Sequence, residues 1–390
     1  MEFLQFHRMF SDERFFDFER MRGRYSEAAF REFVSLLNDV AYTELPLRDA
    51  SGRRFAYIRV KAGSCAKAAR ILMTHGGYAR PYPFAAMAEE IVSSLALEGI
   101  DVSFENVRNI LNGSAPSGYC ENLAYCMKLA LDFISDDANV ITERNAEKLL
   151  RLLEPPPALE SGRTETETPA ALREDTSGGN VHGKAGMSEN AGKISDFLQA
   201  LTDFVNSEDD IDELLKAAAI HFFVLHSRPI GSRSGLAARM IHLWVLARMG
   251  YHASLAVPLS RSVNAARAEY REAFTLVLRN AGITGILDVT PFLSFFAREV
   301  YGKIGPLRET GESAERFAEL MKEGKITTKE RELWEFVQSY YGAEEFSTKT
   351  LERDFRSAAY ATVRAFVVKF EQLGLLASVK YTNKSRYRAL

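Results

Sequence analysis

Hydrophobic residues spaced three and four positions apart recur along most of the chain and predict a mainly helical protein. In one stretch Phe84, Met87, Ile91 and Leu95 share a helical face, and Gly99 is expected to end that helix. A further helix is expected to begin at Thr142, a suitable N-cap. Helical patterns also cover residues 1–42, 106–111, 122–134, 142–153, 194–205, 211–225, 236–250, 265–280 and 291–304.

Two short stretches near the N-terminus alternate between apolar and polar residues instead. Residues 44–47 and 54–60 flank a turn containing Gly52 and predict a β-hairpin. No residue pattern in this region indicates chemistry, so we expect it to pack or dock against the rest of the protein.

Residues 155–193 differ from their surroundings. The segment begins with three prolines, lacks aromatic residues and is rich in Ser, Thr, Gly and Glu. Such a composition buries too little apolar surface to offset the entropy lost on ordering. We expect a long mobile insertion here.

The C-terminal residues 325–390 form a separate pattern of three helices followed by two short strands, at 375–381 and 386–390. This order resembles a winged helix-turn-helix module. The module has twelve Lys and Arg against eight Asp and Glu, a local charge of +4, whereas the rest of the chain carries −7. Arg356, Arg364, Lys384 and Arg386 are candidates for contacting DNA phosphates. A solvated surface on a module that contacts proteins is the alternative.

Composition limits the class of protein. The 390 residues are 46% hydrophobic and 26% charged, as in ordinary globular proteins, and the net charge of −3 argues against wholesale coating of nucleic acid. Three cysteines in no metal or disulfide pattern favour a reducing compartment. With no signal peptide and no long apolar run, we expect a cytoplasmic protein without membrane contact.

The most informative stretch lies between two predicted helices and begins at His226. It contains two glycines, three serines and two arginines before the second helix. A loop that opens a helix offers backbone N–H groups and the positive end of the helix dipole. This pattern predicts an anion-binding loop with a histidine at its edge. Its candidate binding residues are Gly231, Ser232, Arg233, Ser234, Gly235 and Arg239.

A helix, a histidine, a glycine-rich loop and a second helix with an arginine resemble the Fic (Fido) family, whose motif is His-Pro-Phe-x-Asp/Glu-Gly-Asn-Gly-Arg-x-x-Arg. Flanking segments strengthen the resemblance over about residues 75–305. The segments similar to family helices are Arg239–Tyr251, Leu259–Val263, Arg267–Tyr270 and Asp288–Phe296. Ser94–Gly99 fits Ser/Thr-x-x-x-Glu-Gly/Asn, the motif of the subclass with an N-terminal inhibitory helix.

The loop can be aligned with the family motif in two ways. Counted directly from His226, Gly231 matches the first glycine, but the later motif positions do not match. With two additional residues, Gly235 matches the second glycine and Arg239 the final arginine. We prefer the second alignment because Arg239 then continues into the family helix without a shift. In both, the acidic metal ligand of the family is replaced, by Ile230 or by Ser232.

The resemblance implies a role for each matching residue. His226 would accept the proton of an attacking hydroxyl, and the loop would hold the phosphates of ATP. Ser94, Glu98 and Gly99 would form the inhibitory motif, with Glu98 pairing with Arg239. Mg²⁺ is a candidate cofactor, although its usual acidic ligand is missing. The alternatives are that His226 is simply packed in the core and that Glu98 is an ordinary polar residue at a helix end.

These observations predict a mostly α fold. It would comprise an α+β extension at 1–75, a Fic-like helical bundle at 76–305 and the winged helix at 325–390. The first functional hypothesis is a protein adenylyltransferase that moves AMP from ATP to a hydroxyl of an unidentified target protein and is autoinhibited by Glu98. The second is a catalytically impaired regulator that acts on DNA or a protein partner through residues 325–390. A homodimer is compatible with either.

Overall fold

The computed structural model describes residues 1–12, 14–73, 84–154, 191–304, 311–341, 345–381 and 384–390. The described protein is mostly helical, with small sheets near its two ends, as the hydrophobic pattern predicts. The predicted mobile insertion lies outside the described residues, apart from its last three positions, which begin a helix instead.

The N-terminal region begins with helices packed around aromatic side chains; the hairpin follows them, and the last two helices of the region come after the hairpin and pack on the main core. The helices are α1 (Phe3–Phe10), α2 (Phe18–Arg24), α3 (Glu27–Val40), α4 (Arg59–Ala62) and α5 (Ala66–Leu72). The hairpin strands, β1 (Thr43–Arg48) and β2 (Arg54–Tyr57), confirm the predicted hairpin. The second strand was expected to reach Val60 and ends earlier, because the Ile58 carbonyl accepts the N–H groups of Lys61 and Ala62 and starts α4.

The large helical core follows. Its helices are α6 (Phe84–Leu97), α7 (Phe104–Leu111), α8 (Gly118–Ser135), α9 (Glu143–Leu152), α10 (Ala191–Asn206), α11 (Glu213–Ser227), α12 (Ser234–Arg248), α13 (Leu259–Ala265), α14 (Arg267–Thr284) and α15 (Thr290–Phe295). Side chains near in sequence cap the first turns of several of these helices. The Thr142 side chain accepts from the Asn145 N–H at 3.3 Å at the beginning of α9, and Asp212 accepts from the Leu214 N–H at 3.0 Å at the beginning of α11. The first of these caps confirms the N-cap predicted at Thr142.

The helices α11 and α12 are buried on almost all sides and lie at the centre of this core. After α15 the chain continues through a π-helical turn (Phe296–Val300) and a 3₁₀ turn (Tyr301–Lys303). Asp288, expected to begin a helix similar to one of the family over Asp288–Phe296, lies instead in a short strand, β3 (Leu287–Asp288), which pairs with β2 in parallel. The sheet order β1-β2-β3 therefore joins the N-terminal hairpin to the core.

The C-terminal region has its own apolar cluster. It contains α16 (Gly311–Lys322), α17 (Thr328–Phe336), a π-helical turn (Val337–Tyr341), α18 (Thr348–Phe355), α19 (Tyr360–Gln372), β4 (Leu376–Tyr381) and β5 (Lys384–Ala389). Phe346 makes a bridge to Tyr387 beside the β4–β5 hairpin. The region contacts the core just after α7, where the Asn112 amide donates to the Tyr340 hydroxyl at 3.1 Å.

Candidate functional site

The loop from His226 to α12 is a compact turn. Arg228 caps the C-terminal end of α11 with a left-handed φ of 50°, and Gly231 adopts a φ of 60° as the first residue of a short 3₁₀ turn, Gly231–Arg233. The Gly231 N–H donates to the Arg228 carbonyl at 3.1 Å, and the Ser234 hydroxyl accepts from the Ile230 N–H at 3.2 Å. These bonds fix the loop from within.

The predicted anion-binding residues lie at different depths in this turn. Gly231 and Ser232 are exposed, Arg233 is half-buried, and Ser234 and Gly235 are buried at the beginning of α12. The Ser234 hydroxyl is engaged in a hydrogen bond within the loop, whereas Gly231 and Ser232 are exposed to solvent.

Arg239 lies one turn further along α12 and contacts the upstream motif directly. Its side chain is 3% exposed, and its Nη2 lies 2.6 Å from the Glu98 Oε1 atom. Its Nε donates to the Ser94 hydroxyl at 2.5 Å, and its Nη2 donates to the Ser94 carbonyl at 3.1 Å. The structure thus brings Arg239 together with Ser94 and Glu98, which precede it by 145 and 141 positions in the chain.

Glu98 also lies against the beginning of α12. Its carboxylate is so close to Gly235 that a Cβ atom at position 235 would collide with it. Glu98 follows the end of α6, and Gly99 turns the chain away with a φ of 75°, a conformation that glycine adopts most easily. The carboxylate therefore lies at the positive end of α12 and pairs with the cation of Arg239.

His226, the candidate base, contacts the N-terminal hairpin. Its Nε2 lies 3.3 Å from the Oδ2 atom of Asp49, in the turn between β1 and β2. Phe222 stacks against the imidazole with an interplanar angle of 18°, and Phe55 packs against it nearly edge-on at 71°. These contacts leave the His226 side chain 16% exposed.

Burial and the carboxylate act in opposite directions on the charge of His226. Burial lowers the pKa of His226 below its ordinary value, and the hydrogen bond to Asp49 opposes this only in part. Burial also acts to raise the pKa of Asp49, but hydrogen bonds from Arg53, Ser51 and His226 outweigh it and lower this pKa to about 2. At neutral pH the pair is a neutral imidazole next to an ionised carboxylate.

Sequence reasoning missed Asp49. An aspartate shortly before Ser-Gly is typical of a turn, and Asp49 does form the turn of the hairpin. Nothing in the local sequence points to His226, because the contact spans 177 positions.

A buried chain of hydrogen bonds near Arg239 was also missed. The Tyr301 hydroxyl donates to the Leu214 carbonyl at 2.9 Å, so it accepts the proton of His242 Nε2 at 2.8 Å. His242 Nδ1 then accepts from His221 Nδ1 at 3.3 Å, and His221 Nε2 accepts from the Tyr270 hydroxyl at 2.9 Å. Burial lowers the pKa of His242 to about 3, which is consistent with a neutral chain. Its role is to satisfy polar groups in the core.

The candidate DNA-contacting residues are distributed over the C-terminal region. Arg364 is exposed on α19 and lines a shallow groove of about 530 Å³ with Tyr360 and Val368. Arg356 is exposed at the end of α18 with a φ of 59°, and Arg386 is exposed on β5. The side chain of Lys384 lies outside the described part of the protein.

The candidate site has few groups suited to a metal. The loop between His226 and Arg239 contains no Asp or Glu. Within the described ranges, no group of three or more His, Cys, Asp or Glu side chains is placed to hold a metal ion. None of the helices that the structure describes has both the length and the apolar character needed to cross a bilayer.

Searches with the sequence matched no model of a protein family and no curated protein.

Proposed function

We propose that this protein has a Fic-like core and transfers AMP from ATP to a hydroxyl group of a protein, and that Glu98 restrains the reaction. The contact that carries the proposal is the ion pair between Glu98 and Arg239 at the beginning of α12. The Glu98 carboxylate thus occupies the position at which the loop is best suited to hold a phosphate.

Gly235 lies among positively charged groups. The N-terminus of α12 contributes a partial positive charge, and Arg239 contributes a full one that is almost completely buried. Gly235 leaves a space that a Cβ would fill, and the Glu98 carboxylate occupies it. The same space and charges fit a phosphate oxygen of ATP. Binding of ATP in a productive pose would then require Glu98 to leave.

The transfer itself needs a base and an anion site. The hydroxyl oxygen of the target attacks the α-phosphorus of ATP, its proton passes to the neutral imidazole of His226, and the new O–P bond replaces the bond to the β-phosphate. Pyrophosphate leaves with the electron pair of the broken bond. Because the loop itself contains no Asp or Glu, and the described residues offer no group of three possible metal ligands, we assign no step to a metal.

The test uses the full-length protein with ATP labelled on the α-phosphate. Glu98→Gly should increase incorporation of the label into protein at least about tenfold over the wild type, and adding His226→Ala should abolish it. Glu89→Ala is the matched control, because Glu89 lies on α6 but pairs with the exposed Arg261 instead of Arg239. Absence of labelling in every variant, with or without Mg²⁺ or Mn²⁺, would refute the proposal.

A second candidate function is regulation through the C-terminal region. The order of α17, the Phe346 bridge, α18, α19 and the β4–β5 hairpin supports a winged helix, and α19 takes the place of its recognition helix. The exposed Arg364 on α19 and Arg356 at the end of α18 favour phosphate contacts.

Duplex DNA tests this second function. Binding should weaken steeply as salt increases, and Arg364→Ala should weaken it further and reduce the salt dependence. Arg331→Ala is the control, because Arg331 lies on α17 and pairs with Glu335. DNA binding that is equal in both variants would place the interface elsewhere.

A further inference from the structure

The turn between β1 and β2 is built around the side chain of Asp49. This carboxylate accepts the backbone N–H groups of Ser51 and Arg53, both at 2.9 Å. It also accepts the Ser51 hydroxyl at 3.0 Å, and the Arg53 guanidinium lies 2.8 Å from its Oδ2 atom. The carboxylate is thus held in place by its own turn before any contact with His226 is counted.

The same carboxylate extends into the core. Its side chain is 4% exposed, and Oδ2 is the atom that lies 3.3 Å from the His226 Nε2. The imidazole is confined by Phe222 and Phe55 on its other sides. The carboxylate and the two aromatic rings together restrict the orientation of the imidazole.

An ionised carboxylate can only accept hydrogen bonds, so the His226 Nε2 carries the proton of the neutral ring. The lone pair is then on Nδ1, and within the described residues Nδ1 has no hydrogen-bonding partner. We propose that Asp49 is a positioning residue for His226, holding the ring with Nε2 protonated and Nδ1 as the base. This inference rests on the proposed function for its role in transfer, but the pairing is testable without it.

A carboxylate suits this position better than a neutral amide. When Nδ1 takes the hydroxyl proton, the imidazole becomes a cation, and the adjacent negative charge stabilises it. Arg53 and the amides of the turn keep Asp49 ionised throughout. Asp49 does not take the proton itself.

The first test observes the histidine directly. Full-length protein with ¹⁵N-labelled histidine would be titrated by NMR, and the signals of His226 would be identified by their loss in His226→Ala. Asp49→Asn should lower the titration midpoint of His226 by about one pH unit, since an opposite charge at this distance is removed. Glu44→Gln is the control, because Glu44 pairs with Arg48 and Arg54 in the same hairpin. An unchanged midpoint in Asp49→Asn would overturn the pairing.

A second variant tests the pairing if Asp49→Asn does not fold. Arg53→Gln retains Asp49 and removes the positive charge that opposes protonation of His226. The titration midpoint of His226 should therefore rise, whereas Asp49→Asn is expected to lower it. A midpoint that falls or stays constant in Arg53→Gln would contradict the arrangement.

The activity test uses the Glu98→Gly background. Asp49→Asn should lower kcat at least about tenfold while KM for ATP changes less than about twofold, because the change affects the base and not nucleotide binding. A loss confined to KM would contradict a positioning role. If Glu98→Gly itself transfers no label, the proposed function fails, whereas the titration still decides whether Asp49 orients His226.

Discussion

The two ends of the loop between His226 and Arg239 are each covered by a carboxylate from the N-terminal side of the chain, but the two carboxylates are held differently. Asp49 is fixed by several hydrogen bonds within its own turn. In the described residues, the Glu98 carboxylate makes a hydrogen bond to Arg239 alone. A carboxylate anchored in its own turn is suited to orient a partner permanently, whereas one held only by its partner is suited to be displaced.

The partners also differ in charge. Arg239 is a permanent cation, so its contact with Glu98 is a true ion pair. His226 is neutral at pH 7, because burial lowers its pKa. Breaking the pair between Glu98 and Arg239 is therefore expected to lower the free energy of unfolding more than breaking the pair between Asp49 and His226.

The largest effect is expected from Arg239→Ala. The substitution leaves the Glu98 carboxylate unpaired and Ser94 without its donor, which should lower the free energy of unfolding by about 3 kcal/mol. Denaturant unfolding measures this. Arg261→Ala, which breaks an exposed ion pair between α13 and α6, should cost less than about 1 kcal/mol. Equal losses in the two variants would show that burial of the Glu98 pair contributes nothing.

At the other end of the loop, Asp49→Asn should lower the free energy of unfolding by about 2 kcal/mol at pH 7. The sign follows from the pKa of Asp49, which folding lowers from 3.8 to about 2. Ionised Asp49 thus stabilises the protein above pH 3.8, and this contribution is lost as the pH falls towards 2. Urea unfolding of both proteins between about pH 7 and pH 2.5 measures the difference. A difference that stays constant over this range would mean that the charge of Asp49 is not the cause.

Gly235→Ala tests how closely Glu98 approaches α12. The added Cβ would collide with the Glu98 carboxylate, so we expect a loss of about 1.5 kcal/mol that disappears when Glu98 is also replaced by glycine. Gly282→Ala is the control, because a Cβ at this helical position would have no atom within 4 Å. If the loss persists in the double variant, strain in the loop and not contact with Glu98 is responsible.

Ser94→Ala should have the smallest effect. It removes the hydroxyl that accepts from the Arg239 Nε but keeps the backbone carbonyl that accepts from Nη2, so a loss of about 1 kcal/mol is expected. Thermal unfolding can resolve this difference against Ser93→Ala on the same helix. A loss as large as that of Arg239→Ala would mean that Ser94, and not Glu98, is the main partner of the arginine.

Much of the fold follows from local sequence. The spacing of Phe84, Met87, Ile91 and Leu95 predicts α6, whose first residue is Phe84, and the N-cap at Thr142 is where the sequence indicates it. The pairing of Glu98 with Arg239 was also expected, because a short motif could be recognised at each end. Periodicity and capping act within a few residues, so they can be recognised without knowing the rest of the structure.

Other features that depend on distant contacts, where no motif marks both partners, were not predicted. Asp288 lies in a strand because β2, more than 200 positions earlier, offers it a parallel partner. Asp212 caps α11 through a local contact, but Asp209, three positions earlier, pairs at 2.9 Å with the buried Lys216. Such pairings are decided by which surfaces meet in space.

The sequence by itself thus determined most of the helices, the hairpin, the loop after His226 and the two motifs that meet at Arg239. The tertiary structure alone decided that the hairpin turn covers His226, that Glu98 lies against Gly235, and that two buried histidines are joined in one hydrogen-bonded chain. The physical reason is that helix and turn preferences are local, whereas burying a polar group requires a partner, and the chain can supply that partner from any distance.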